Sequence, residues 1–224
     1  MTQVLKAEVR ERILAAGRLA FFEHGYHRAA LADIARSAGV STANIYRYYP
    51  AKSALFEAVL PDELIARHDQ LLDARIDAMI GPVDPAPAAA DLLDFWVENR
   101  LAVATLLDHD GQTTRSFYRQ AFVHRLIAHA ERTLDTPAPA THRRLLEIVF
   151  DNTRRALAAI LRSTADPDEL RALIAGFWSY QVPGLDGLST WMRTGQRGGR
   201  HMVSTVSRPG STATSSRSSN PNRR

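Results

Sequence analysis

The chain has 224 residues, enough for one large or two modest domains with their own cores. It has no cysteine, which excludes disulfides, thiolate metal sites and a cysteine nucleophile. Its net charge of +4 is unevenly spread: residues 1–52 hold 8 Lys/Arg against 4 Asp/Glu, residues 53–195 hold 14 against 20, and residues 196–224 hold 6 against none. A basic head on an acidic body suits a head that meets phosphate and a body that does not.

Val4 to His24 reads as a helix, with Val9, Ile13, Ala16, Ala20 and Phe21 on one stripe. No apolar signal core appears there, since Lys6, Glu8, Arg10, Glu11 and Arg12 crowd the start. Gly25 is expected to stop the helix in the left-handed conformation. Leu31 to Ala38 forms a second helix and Thr42 to Tyr48 a third, parted by Gly39, Val40 and Ser41. Ala35 is small enough for a close helix crossing, Gly39 tolerates positive φ, Ser41 can cap, and Ile45 anchors the third helix inward. Thr42, Asn44, Tyr46, Arg47 and Tyr48 then fall outward or at the edge, and Pro50 ends the run. This is the pattern of a helix-turn-helix, whose second helix enters the DNA major groove.

Lys52 to Leu60 continues as a fourth helix with Leu55, Phe56 and Val59 inward; Pro61 kinks or breaks it before a helical pattern over Asp62 to Ile80. Gly81 to Ala90, with three prolines, reads as a loop. Asp91 to Leu107 and Thr113 to Leu134 read as longer helices parted by a turn at 108–111, and a second proline loop runs from Asp135 to Ala140. Thr141 to Ser163 is helical. Asp166-Pro167-Asp168 caps a last helix from Glu169, which Pro183-Gly184 is expected to interrupt before Trp191. No window alternates like a strand, so the fold class is all-α: a three-helix N-terminal domain joined to a helical bundle. The charge-free stretch Ala172 to Leu185 is too short to cross a bilayer, and a soluble, cytoplasmic protein with no membrane partner is expected. From residue 196 onward Gly, Ser, Thr, Arg and Pro dominate, and a disordered basic tail is expected.

Enzyme readings are weak. Gly39-Val40-Ser41-Thr42-Ala43 nearly spells a nucleophile elbow, but an elbow joins strand to helix and here a helix precedes it. His124 and His129 are five apart, off a common helix face, and Asp108-His109-Asp110 is a polar turn. No phosphate-cradling glycine loop is present. No catalytic residue, cofactor or metal is therefore assigned.

RERILAAGRLAFFEHGY, LADIARSAGV and STANIYRYYPAKSALFEAVL, all within residues 10–60, resemble the N-terminal domain of the TetR family of bacterial transcriptional regulators. The resemblance implies DNA contacts by Ser41, Thr42, Ala43, Asn44 and Tyr48, with Tyr46 and Lys52 on phosphate. Lys6 and Lys52 are the chain's two lysines beside 26 arginines, and Asn44 is a residue type that can bond adenine bidentately. The chain departs from the family pattern at Ala29-Ala30, where threonine usually opens the second helix. It departs again at Ala43-Asn44, where glycine and threonine are common, and at Tyr49, where phenylalanine is usual. The resemblance divides the chain into a DNA-binding domain over 7–67 (helix-turn-helix 30–49), a ligand-binding and dimerisation domain over 68–195, and the tail. It implies a homodimeric repressor of a palindromic double-stranded DNA operator, released by a small apolar or aromatic effector. Trp96, Asn99, Arg100, Phe117, Tyr118, Phe122 and Trp178 are the candidate pocket residues, and 141–163 with 168–192 the dimerising pair. The rival reading is a helical adapter or catalytic body carrying a vestigial helix-turn-helix.

Overall fold

In the computed structural model, residues 2–79, 84–108, 115, 117–134 and 139–194 are described. They form α1 (Thr2–Arg28), α2 (Leu31–Ala38), α3 (Thr42–Tyr48), α4 (Lys52–Val59), α5 (Asp62–Ala78), α6 (Ala86–Glu98), α7 (Arg100–Asp108), α8 (Tyr118–Leu134), α9 (Ala140–Ser163) and α10 (Pro167–Thr194). No strand occurs among the described residues, and none of their helices is long and apolar enough to cross a membrane. The expected tail, the turn at 109–111 and the loop at 135–138 lie outside the described residues.

The first four helices close on Ile13, Phe21, Ile34, Ile45, Leu55 and Phe56, all fully buried. The Phe21 and Tyr26 rings each meet Phe56 edge-on with centroids 5.0 Å apart. At Gly17 a Cβ would sit 3.4 Å from both Leu55 and Val59, so glycine lets α1 and α4 lie close. Gly25 breaks the helical path of α1 with φ 71°, but its ψ of 172° is extended and not left-handed helical. Helical bonding resumes beyond it, the Ala29 N–H reaching the Gly25 carbonyl at 3.2 Å.

The second unit is built around α7, whose residues Ala102 to Leu107 are all buried. A helix that is covered all round has orphan carbonyls at its C-terminus that water cannot reach. The Arg154 guanidinium, 2% exposed, reaches in from α9 to the Leu107 carbonyl and is held by Asp151 at 2.7–2.8 Å.

Three expectations are corrected here. The proline loop ends earlier than expected, because Asp84 accepts from the Ala86 N–H at 3.0 Å and Pro87 sits in the first turn of α6, where its missing N–H costs nothing. The single helix over 91–107 is two: Asn99 leaves helical geometry (φ −105°, ψ 24°) while its own Nδ2 and N–H both bond the Phe95 carbonyl, a side chain competing with the backbone. Pro183 does not interrupt α10. It lies on the exposed face, so the carbonyl that loses its partner can turn to water. Asp166 caps α10 as expected, its carboxylate accepting from the Asp168 and Glu169 N–H groups at 2.8 and 3.2 Å, with the helix opening at Pro167.

The two units meet at Phe22. Its ring lies between the Arg100 guanidinium (4.9 Å) and the Arg162 guanidinium (4.8 Å), and Arg162 also donates to the Phe22 carbonyl. Arg100 is fixed in turn by the Leu161 carbonyl at 3.0 Å.

Candidate nucleic-acid interface

The α2–α3 corner is built from local signals. Gly39 takes the left-handed conformation (φ 66°, ψ 37°), its N–H bonds the Arg36 carbonyl at 3.2 Å, and the Val40 N–H bonds Ala35 at 2.9 Å. This Schellman closure satisfies the end of α2 and turns the chain in one residue. The Ser41 hydroxyl accepts from the Asn44 N–H at 3.1 Å and opens α3. Ala35 is buried beneath the crossing.

Ile45 is the buried residue of α3 and pins the helix to the core. On the other faces Ser41, Ala43, Tyr46 and Arg47 are exposed, Tyr46 by 52%, while Thr42, Asn44 and Tyr48 are half-buried. Tyr49 is 4% exposed, and its hydroxyl accepts from Arg10 Nε at 3.4 Å. The phenol in place of a phenylalanine ring thus gains a partner on α1. The departure at Ala29-Ala30 also has its consequence: Ala30 caps α2 with no side-chain hydrogen bond, and Asp33 in the first turn offsets the loss through the helix dipole.

Lys52 stands at the first residue of α4. Its Nζ donates to the His27 carbonyl at 3.1 Å and lies 4.9 Å from the centre of the Tyr26 ring. Partial burial lowers its pKa. The ammonium therefore holds α4 to α1 with one of its three donors.

The seven candidate pocket residues do not share one cavity. Trp178 lines a cavity of about 190 Å³ walled by α5, α6, α8, α9 and α10, and is the one of the seven that does. Trp96, Tyr118 and Phe122 instead surround the fully buried His68, whose ring lies 6.2 Å from Trp96, 5.8 Å from Tyr118 and 6.4 Å from Phe122. Asn99 closes α6, Arg100 grips Phe22, and Phe117 is 72% exposed. Aromatic type told the sequence reading that these side chains want burial, but not which neighbour each helix face meets. His129, five residues from His124 and no metal partner for it, lies in the cavity wall, and so does Arg75, for which the sequence signal is a charged residue amid the Leu72, Ile76, Met79 stripe.

Around His68 the hydrogen-bond roles are determined by charge. The Tyr118 hydroxyl lies 2.5 Å from His68 Nδ1 and 2.6 Å from Asp69 Oδ1. An ionised carboxylate only accepts, so the phenol donates to Asp69 and accepts from His68 Nδ1–H. Burial, reinforced by the Asp69 contact, raises the Tyr118 pKa far above its ordinary value.

An exposed helix pinned to the core by one apolar residue and joined at a tight corner to a second helix, within a head rich in Lys and Arg, has the build of a helix-turn-helix DNA-binding unit. Residues 13–59 match the family model described as bacterial regulatory proteins, tetR family. The chain is 30% identical over 176 residues to the HTH-type transcriptional repressor Rv1474c of Mycobacterium tuberculosis, covering 74% of this chain and 88% of that protein. It is 40% identical over 86 residues to the HTH-type transcriptional regulator TtgR of Pseudomonas putida, covering 38% of this chain and 40% of that one. The solved structure of NalD, the secondary repressor of the MexAB-OprM multidrug efflux pump in Pseudomonas aeruginosa, aligns with TM-score 0.41 at 22% identity over 77% of this chain and 96% of that one. The chain belongs to the TetR family of transcriptional regulators, and it is not an enzyme.

Proposed function

We propose that this protein is a homodimeric, ligand-responsive repressor that reads a palindromic operator with α3. The observation that carries the reading is the two-sidedness of α3: Ile45 is fully buried while Ala43, Tyr46 and Arg47 project to solvent. Thr42, Ala43, Asn44 and Tyr48 are the proposed base and backbone contacts, with Ser41, Tyr46 and Lys52 on the phosphates. The DNA-binding domain spans 7–67 and the ligand-binding and dimerising domain 68–195.

Dimerisation is supported by apolar side chains that the single chain leaves uncovered on its last two helices: Ile148 is 55% exposed, Leu173 39%, Tyr180 75% and Trp191 46%. Pairing these helices with a second copy would bury them in a four-helix interface. Two α3 helices about 34–36 Å apart would then fit successive major grooves, and a palindrome follows from the two-fold axis. The cavity beside Trp178 is the proposed effector site, and the Phe22 contact joins that body to the DNA-binding unit. An effector shifts the equilibrium only by its differential affinity for the two conformations.

Titration of the protein against the DNA upstream of its own gene, with light scattering on the same sample, tests this. Saturable, palindrome-dependent binding by a dimer is expected, with Leu173→Glu giving monomers that bind far more weakly. A wild-type monomer, or binding indifferent to sequence, would overturn the reading.

A further inference from the structure

The cavity wall is apolar at Leu72, Ile76, Leu126, Phe150, Trp178 and Leu188, yet Arg75 stands among these residues. The Arg75 Nη1 is buried and has no hydrogen-bond partner among the described residues, and no carboxylate there lies within ion-pair distance of the side chain. The aspartates on either side of Arg75 along α5 are engaged elsewhere. Asp69 and Asp73 pair with Arg125 at 2.9 and 2.5 Å, and Asp77 pairs with Arg132 at 3.2 Å. A guanidinium does not shed its proton in a protein, so burying one of its donors without an acceptor is costly. Burial lowers the Arg75 pKa, as it must for a cation taken partly out of water.

The remaining polar groups of the wall, Thr153, His129, Asp186 and Ser189, do not answer this need, since none of them bonds the Arg75 Nη1. The Thr153 hydroxyl already donates to the Val149 carbonyl at 3.0 Å and accepts from Gln181 at 2.8 Å. Burial, then the nearby Arg132 charge, lowers the His129 pKa, which keeps that ring neutral. Asp186 is exposed and stays hydrated.

We infer that this cavity takes a small organic acid, its apolar chain or ring against Trp178 and Phe150 and its carboxylate on Arg75. Two parallel N–H···O bonds from the fork to the carboxylate would satisfy the orphan donor and neutralise the charge in one contact. The volume, about 190 Å³, lies below the roughly 300–1,000 Å³ of drug-sized sites, which limits the occupant to a short chain or a single ring. This inference rests on the proposed effector role of the cavity and adds the sign of the ligand's charge to it.

The test compares octanoate, octanol and octylamine by calorimetric titration and by tryptophan emission, on the wild type, Arg75→Met and Arg75→Lys. Octanoate is expected to bind the wild type at least about tenfold more tightly than octanol, a difference of roughly 1.4 kcal/mol. Arg75→Met should erase that preference with octanol binding unchanged, while Arg75→Lys keeps part of it. Arg75→Met should also melt no lower than the wild type without ligand, since it removes an unpaired charge; a purely structural arginine would show the reverse. If octanol matches octanoate, if octylamine binds best (making Asp186 the headgroup residue), or if Arg75→Met keeps the preference, the organic-acid inference is wrong while the effector role of the cavity stands. If none of the three probes binds, both fall together.

Discussion

Lys52 Nζ donates to the His27 carbonyl at 3.1 Å and lies over the Tyr26 ring at 4.9 Å, so the first residue of α4 is tied to the stretch of α1 just past Gly25. One side chain thus serves two ends: a tie within the DNA-binding unit and, in the proposed complex, a phosphate contact through its two remaining donors. Lys52→Ala is expected to weaken binding to every DNA sequence and reduce the salt slope by about one. It should also lower the unfolding free energy by about 1 kcal/mol without DNA, from the lost hydrogen bond and ring contact. Anisotropy titrations across salt, with denaturant melts beside them, separate the two losses. A variant that melts lower yet binds DNA with the parental slope would leave Lys52 only the structural role.

The corner that places α3 was legible to the residue, Leu31–Ala38 and Thr42–Tyr48 both matching expectation. Its signals are local: a glycine at positive φ, a serine one residue before the helix, a proline just beyond its end. The break at Asn99 was not legible, because it depends on a side chain capturing a carbonyl within an otherwise periodic run. Nor was the continuity of α10 through Pro183, which depends on that residue facing water. The cavity was the least legible part. Trp96 and Trp178 look alike in sequence, and only the crossing of α5 with α6 and α8 puts one beside His68 and leaves the other lining the cavity.

Ser41, the residue that caps α3, and Asn44, in its first turn, predict different signatures. Asn44→Ala keeps the capping hydrogen bond, because the N–H that Ser41 accepts is backbone, and is expected to relax base preference at one position per half-site with stability unchanged. Ser41→Ala removes the cap acceptor and should cost about 0.5–2 kcal/mol of stability. Binding to a panel of single-base operator variants, read beside thermal melts, checks both. Equal discrimination by Asn44→Ala and its parent would remove Asn44 from the base-reading set.

Asp69 makes the fold acid-sensitive. Burial opposes its ionisation, but the His68 ring, the Tyr118 hydroxyl and the Arg125 guanidinium outweigh burial and hold its pKa below the ordinary carboxylate value. A carboxyl whose pKa is depressed in the folded state adds stability at pH values above its unfolded pKa and loses it as pH falls through the folded value. Asp69→Asn should therefore melt lower than the wild type at pH 7, by about 1–3 kcal/mol for a broken charge-assisted contact. The gap should narrow as the pH drops below about 4, where the wild-type carboxyl protonates as well. A gap that stays constant from pH 7 down to pH 3 would mean that shape, not charge, accounts for the loss.

Phe22 is the part of α1 that the body holds most directly, its ring between Arg100 on α7 and Arg162 on α9. Each ring–cation contact is worth about 0.5–1 kcal/mol where water has access and more where it does not. Replacing the ring by a methyl group also removes apolar contact, so Phe22→Ala is expected to lose about 2–3 kcal/mol, and Phe22→Leu, which keeps the bulk, about half of that. Because the backbone bond from Arg162 to the Phe22 carbonyl survives in both variants, the two units should stay docked but become less tightly coupled. Calorimetry should then show the single transition of the parent broadening or splitting in Phe22→Ala as the helix-turn-helix unit melts ahead of the body. The same variant should bind operator DNA nearly as well as the parent, since α3 and Lys52 are untouched, while responding less to whatever fills the cavity. Undiminished release of DNA by Phe22→Ala would show that the signal between body and DNA-binding unit runs through other contacts.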